Sequence, residues 1–563
     1  MKIPLIGPSN SNYSPAAALQ ESINCYLESI ETAEGKNKFT LRGIPGVHLF
    51  KNLTTINASA TPVRGLWSGG GRLFVAAGTK FFEVDDTGSL VGSVSTIADD
   101  AAHSPVQIFA NRNQLFIVAS NVAYADGGTG PTQIALPSLA GYASVNPFNT
   151  KQLLWEDDAA GSDHFDIGLV GQTITYNGTG YTVASVTNPN LLTVTTAIGV
   201  TSHKAWSATV TLNAKTGCFL DGYCIINRPS SWQFNISALW DCSSWDTLDF
   251  DIKSGYPDDI AAVWAEPPLL YLLGTETTEI WKNTGNADFP FQRVDGGSAK
   301  VGLVATWSPC SINGKLHMLA GGSFGQAAAV RMEGVSPVRV STHAQEEDWS
   351  GNGAFAGEGI SYSYFDRGHW FWVINFAGNT HSWVYDATES ARLGEPQWHK
   401  RASGGAADVF GNYRPWFHTF IPEWGTNGKH IVGDYSSGKL LEMSSDFFDD
   451  EGSDIYGVRN MQHLWNGGKR MFMSRIEIEM EQGLVSGANN PPVMSMDFSD
   501  DRGHTFHPSP ARTLATGAAS AYSTRAYLNR CGGFRDRVPR LKIHGQSKIA
   551  IIDANADIQM GTR

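Results

Sequence analysis

The sequence predicts an all-β protein: a β-propeller of six or seven blades, an inserted small β-domain and a C-terminal β-sandwich-like domain. Three observations predict it. Alternating apolar runs broken by Gly, Asn and Asp turns return about every 40 to 50 residues, the spacing of a four-stranded blade. Sixty Gly and 25 Pro, with only 17% charged residues, suit a turn-rich β-protein. Windows with apolar residues at i, i+3 and i+4 are few, which argues against long helices.

Residues 1–60 lack the repeat and read as an extended arm running onto the first blade. The first blades occupy 61–151. Arg64–Leu90 reads as strand, Gly-rich turn, strand, Gly-Thr turn and strand, and Ser104–Ile134 repeats that plan. Between 152 and 211 the spacing fails. Phe165 to Val186 runs into Leu191–Thr196 with Asn177-Gly178 between two alternating stretches, a strong hairpin signal. This segment is expected to be a small β-barrel or sandwich inserted in a blade loop, where insertions are tolerated and contacts to other proteins are common. Blades resume over 212–465, in Asp259–Val294, Thr306–Ser341, Gly357–Gly404 and Trp416–Gly452 among others. Without the insert, seven candidate units precede Asn466; six blades and a strand-rich linker fit almost as well. Residues 466–563 change rhythm. Arg475–Glu481 alternates with Glu477, Glu479 and Glu481 on the wet face, and Met494–Phe498, Leu541–His544 and Ile549–Asp553 complete a compact sandwich.

The net charge of −13 argues against a sequence-independent DNA binder, which needs a basic surface, but suits a surface that DNA passes without sticking. It equally serves solubility. The apolar run at Met1–Pro8 is too short for a signal peptide, and no stretch approaches the roughly 18 apolar residues of a membrane span. Cys25, Cys218, Cys224, Cys242, Cys310 and Cys531 are scattered without metal-ligand spacing and read as buried free thiols.

Few motifs carry chemistry. Ser499, Asp501, Gly503, Thr505 and Phe506 fit the Asp-box hairpin, in which the Asp ties the turn and Gly supplies positive φ; the expected role is structural. Asp446, Asp449, Asp450, Glu451 and Asp454 gather carboxylates that calcium favours, yet their spacing does not match an EF-hand, and a solvated acidic loop explains them as well. A glycosidase needs two facing carboxylates; Glu266, Glu276, Glu279 and Asp366 are candidates that spacing alone cannot select. Trp370 and Trp372 beside His369 and Phe371 imitate a carbohydrate platform, but alternation puts both on one face of a strand, where blade-core packing is the commoner fate, and Trp240, Trp245 and Trp264 have the same ordinary reading. Nucleophile-elbow, zincin, P-loop and dinucleotide fingerprints are not found. Arg525, Arg530, Arg535, Arg537, Arg540 and Lys542 form a basic stretch in an acidic chain, a candidate interface or an ordinary solvated face.

The arm is the most specific segment. Gln20-Glu21-Ser22-Ile23-Asn24-Cys25-Tyr26-Leu27-Glu28 precedes Leu41-Arg42-Gly43-Ile44-Pro45-Gly46-Val47. This resembles the signature of the tail nozzle or hub proteins of short-tailed bacteriophages, the packaged-DNA stabilisation family, carried here by Asn24, Tyr26, Glu28, Gly43, Pro45 and Gly46. Ile44 stands where that family usually has Thr. Leu273–Trp281 before Pro290-Phe291-Gln292-Arg293, Val384–Ala387 with Pro396-Gln397-Trp398, and Ser499–Phe506 are similar too. The resemblance spans most of the chain outside the insert. It implies a non-enzymatic virion protein without cofactor, made in the host bacterial cytoplasm and placed in the tail. It implies a homohexameric ring below the portal and its adaptor ring, around a channel through which packaged double-stranded DNA passes unbound, with docking surfaces for a tail needle and receptor-binding spikes or fibres. The alternative is a propeller glycosidase or glycan-binding module acting on host-surface polysaccharide, distinguished by paired carboxylates at the propeller axis.

Overall fold

A computed structural model describes residues 2–3, 5–11, 14–31, 38–134, 139–156, 165, 169, 172–188, 190–208, 212–256, 258–321, 327–350, 356–481, 493–508, 512–513 and 525–561. The chain divides into two compact units, Met1–Val94 with Ala299–Arg563, and Ser95–Ser298. Both are built of antiparallel β-sheet.

Among the described residues the first unit holds four blade-type sheets. One is Val63–Gly69, Arg72–Ala77, Lys80–Val84 and Leu90–Thr96; another centres on Lys315–Gly321 and Ala328–Glu333. A third is Ile360–Asp366, His369–Asn375, Ser382–Asp386 and Gln397–Arg401. Its Trp372, Trp383 and Trp398 are buried with Leu319 and Ile312 of the preceding sheet. Each large apolar side chain buried this way stabilises by about 1.5–3 kcal/mol. A short helix, Ala387–Leu393, follows; Asp386 caps it by accepting from Glu389 N at 3.0 Å, and Gly394 ends it at φ 72°.

The last blade-type sheet is completed by the arm. Pro415–Ile421, Lys429–Asp434 and Lys439–Ser444 take Gly46–Asn52 as their fourth strand, with Lys439 opposite Asn52 and Ser444 opposite Gly46. The arm therefore reaches the repeats at their last member before the chain turns at Leu53–Thr55 into Val63–Gly69. Leu53, Val63, Leu73, Ile421, Ile431 and Leu440 form one core across the first and last sheets. Strand exchange of this kind pairs a sheet edge that would otherwise stay open.

The C-terminal sandwich also takes strands from the arm. One sheet orders Cys25–Ser29, Phe39–Gly43, Ala550–Met560, Met471–Met480 and Ala526–Phe534, with Lys2–Ile3 on Ala550–Met560. The other runs through Gly457–Asn460, Asp536–His544 and Val493–Ser499. Met473, Ile476, Met494, Met496, Leu541 and Ile543 fill the space between. A register shift between Met473 and Arg475 changes which parity faces inward, so that Glu477 points away from the core.

The second unit holds three more blade-type sheets, which makes seven among the described residues. They are Gln107–Ala110 to Thr132–Gln133, Thr216–Leu220 to Asp241–Ile252, and Ile260–Glu266 to Phe291–Ala299. Between the first two lies a closed barrel of six strands, from Leu139–Val145 to Lys204–Ala208. Asn177 (φ 49°) and Gly178 (φ 78°) make its hairpin turn, as the sequence predicts. Its first strand precedes residue 152, and Leu139 pairs with Ala208, so the barrel starts and ends on adjacent strands.

One expectation is corrected here. Cys224 and Cys242 form a disulfide with Cα atoms 5.5 Å apart, while Cys25, Cys218, Cys310 and Cys531 are buried thiols outside any disulfide. The cause is a bulge: Ala238 pairs with Asp241 but Ser237 with Trp245, which takes Cys242 out of the regular ladder.

Candidate functional site at the arm junction

The signature residues of the arm converge where it joins blade and sandwich. Ser22–Ile23 lies between two sheets, parallel to Gln397–Arg401 and antiparallel to Gly457–Asn460. Asn24 follows in the left-handed conformation (φ 55°), fully buried. Its amide donates to Ala402 O (2.9 Å) and Tyr456 O (3.0 Å) and accepts from Ala402 N (2.9 Å). Asn tolerates this backbone better than most residues, and its amide offers both a donor and an acceptor. Tyr26 packs edge-on against Phe371 and His369, at 5.3 and 5.4 Å between ring centres. Glu28 pairs with Arg42 across the hairpin. Gly43 lies under Ile549, whose Cβ would sit 3.2 Å from an added methyl. Gly46 is required by close approach: a Cβ there would meet Asp449 O at 2.5 Å and Phe447 O at 2.8 Å. Pro45 links the two strands on either side of it. Together these residues fasten three parts of one unit.

Sequence reasoning missed the charged groups that complete the junction. Arg459, buried, donates to Leu5 O (2.7 Å) and Pro8 O (3.1 Å), holding the start of the arm on the sandwich. Lys400 pairs with Glu21 at 2.9 Å. Nothing in the local pattern around either residue signals a partner so distant in sequence.

The basic stretch separates into distinct environments. Arg537 is buried; its guanidinium makes a two-pronged pair with Asp500 (2.6 and 2.7 Å) and lies over Phe534 and Phe498. Arg540 and Lys542 both reach Asp497 and Asp408. Arg525 pairs with Glu477 through two bonds. Arg535, exposed, donates to Gly468 O, and Arg530, exposed, sits at φ 60°. Arg530 and Arg535 are the two members of the stretch with no carboxylate partner among the described residues.

The Asp box is a turn. Asp501 accepts from Thr505 N (2.9 Å), Thr505 Oγ1 (2.5 Å) and Ser499 Oγ (2.7 Å), and these bonds hold its carboxyl well below the usual range. Gly503 takes φ 92° beside Leu19, and Phe506 lies under Arg540 at 4.1 Å. In the acidic loop, Asp449 meets His48, Glu451 meets Arg414 and Lys439, and Asp454 meets His544. Among the described residues no cluster has metal-holding geometry. Burial pushes the Asp450 carboxyl up to about 7.

The remaining candidates are scattered. Glu279 is buried, accepting from Gly255 N (2.6 Å) and Trp281 Nε1 (3.2 Å); Glu276 is exposed, Glu266 half-buried, and Asp366 accepts from Ser445 Oγ. Trp372 and Trp245 are buried, Trp370 and Trp264 are partly covered, and Trp240 is exposed. No helix among the described residues is long and apolar enough to cross a membrane.

The architecture defines a class of all-β proteins in which blade-type sheets precede a sandwich. Residues 159–447 match the family described as Bacteriophage P22 Gp10, beta-propeller, and residues 458–559 match Bacteriophage P22 Gp10, beta-sandwich. The chain belongs to this family, the tail nozzle or hub proteins of short-tailed phages, and is accordingly a structural component of the virion. The blade-type sheets before residue 135 lie outside the matched segment. No curated protein matches the chain. Among solved structures it is similar to Kluyveromyces lactis Hsv2 with its complete loop 6CD (9% identity, 60% of this chain and 97% of that one, TM-score 0.25). It is also similar to the extracellular domain of the putative hybrid two component system BT4673 from B. thetaiotaomicron (9%, 87% and 60%, TM-score 0.38). A third is the Neurospora crassa Pan2 WD40 domain (8%, 72% and 95%, TM-score 0.28). At these scores the likenesses carry no argument.

Proposed function

We propose that this chain forms a homohexameric ring below the portal and adaptor of a short-tailed phage, holds packaged DNA in the head and surrounds its exit path. The observation that carries this reading is the match of both Gp10 segments, in order, along one chain. The protein acts by shape and rigidity, without chemistry of its own. Its net charge of −13 repels passing phosphates, which favours ejection over adsorption. Needle and spikes or fibres dock on its outer surfaces. The barrel is the docking element we favour: Phe148, 97% exposed, tips a turn braced by Asn146 and Asn149, and exposed Val200 belongs to the loop tied to that turn by Ile198 N donating to Thr150 O (2.8 Å). Phage lacking the chain is expected to package DNA and then lose it, read as empty heads after purification. Full, stable heads without the chain would refute the proposal.

A further inference from the structure

A small cleft of about 30 Å³ opens beside the arm junction, room for about two waters or one compact ion rather than a larger ligand. The arm contributes Tyr26 and Arg42, the blades Arg367 and Ser445, and the sandwich Ser547 and Lys548. Three cations and no carboxylate line it, in a chain of net charge −13. Two of its polar side chains are built in: Tyr26 and Ser547 are each 6% exposed, and their hydroxyls make no hydrogen bond among the described residues. Burial pushes the Tyr26 hydroxyl up to about 12, which keeps it a donor. A hydroxyl held in place by its buried residue and lining a cleft of cations is positioned to donate to an acceptor that enters it.

The cations have carboxylate neighbours outside the cleft, but two of those pairs are weak. Arg367 meets Asp446, whose side chain is 82% exposed, and Lys548 meets Glu481 where both are solvent-accessible. Exposed pairs of this kind contribute about 0–1 kcal/mol. Arg42 stays with Glu28, and a guanidinium has further N–H groups to offer. A compact oxyanion, drawing several charge-assisted bonds at once, competes well against such partners.

We infer that this cleft binds a tetrahedral oxyanion of the phosphate class, taken by Arg367, Lys548 and Arg42 with Tyr26 and Ser547 donating their hydroxyls. The group is either free phosphate or the terminal phosphate of a larger molecule whose remainder stays outside the cleft. The site joins arm, blade and sandwich, so its occupancy tightens the junction that the family signature builds.

Calorimetric titration of the full chain with inorganic phosphate, at constant ionic strength set with sodium chloride, tests this. Saturable binding is expected with Kd on the order of 1 mM. Arg367→Ala with Lys548→Ala should weaken it at least about tenfold, and Tyr26→Phe by about three- to tenfold, since charged hydrogen bonds contribute more than neutral ones. Arg367 and Lys548 are partly exposed, so their double variant keeps its thermal midpoint even if Tyr26→Phe does not. Phenyl phosphate is the second arm: binding at least as tight as phosphate assigns a terminal phosphate, and its exclusion assigns the free ion. No saturable binding of either, or equal binding by wild type and the double variant, would overturn the inference.

Discussion

At the residue scale, the most telling position is Asn24. The sequence shows it as one letter of a signature; the structure shows a left-handed residue whose amide bridges Ala402 and Tyr456. Asn24→Ala is expected to cost about 2–4 kcal/mol in denaturant unfolding, because buried backbone groups lose their partners and the backbone is strained. The basic stretch was legible as composition but not as roles, since which Arg is buried depends on strand register. Arg537→Ala should cost about 3–5 kcal/mol, because Asp500 is left without its partner and Phe534 and Phe498 lose their cover. Arg535→Glu should leave thermal unfolding nearly unchanged. Equal losses for the two would contradict the placement of Arg537. Asp450 gives a pH signature. Its folded pKa of about 7 lies above the ordinary value of 3.8, so the folded state binds the extra proton. Stability should therefore fall as pH rises from about 4 to 7, and Asp450→Asn should flatten that part of the profile in a series of thermal melts.

At the element scale, the alternating strands and their turns were legible because both signals are local: period-2 burial and Asn-Gly or Gly turns need no distant information. The final closure was not. Gly46–Asn52 pairs with Lys439–Ser444, and nothing in either strand names the other. The same holds for the Cys224–Cys242 disulfide, which depends on a bulge at Ser237 and Trp245. A chain that begins at residue 60 leaves Lys439–Ser444 as an open edge, and the arm's three sandwich strands are lost with it. Such a chain should aggregate, seen by size-exclusion chromatography, whereas an arm that merely covered the surface would be dispensable. The barrel makes a separate prediction. Its core residues Leu153, Ile174 and Trp206 belong to the same cluster as Phe116 and Ile226 of neighbouring sheets, so point variants probe it better than deletion. Phe148→Ser with Val200→Ser should leave unfolding within about 0.5 kcal/mol and reduce attachment of a tail partner to particles. Normal attachment would remove the barrel tip from the docking account.

At the scale of the whole molecule, both Gp10 segments appear in the order that the blades and sandwich predict, and the arm signature proves to be the fastening of one unit. Subunit number was never legible, because a head-to-tail interface is a property of two copies and leaves no local pattern in one. In the proposed ring, Arg530 and Arg535, exposed and without a carboxylate partner among the described residues, are the positions we assign to pairing with a neighbouring acidic surface. Charge reversal at both should weaken ring formation more at low salt than at high salt, as a contact between exposed charges requires. The most direct test of the central claim is electron microscopy of the purified tail assembled with portal and adaptor. The account predicts six copies of this chain in a closed ring beneath the adaptor, around an open axial channel. A ring of another order, or particles whose tails lack the chain, would contradict it.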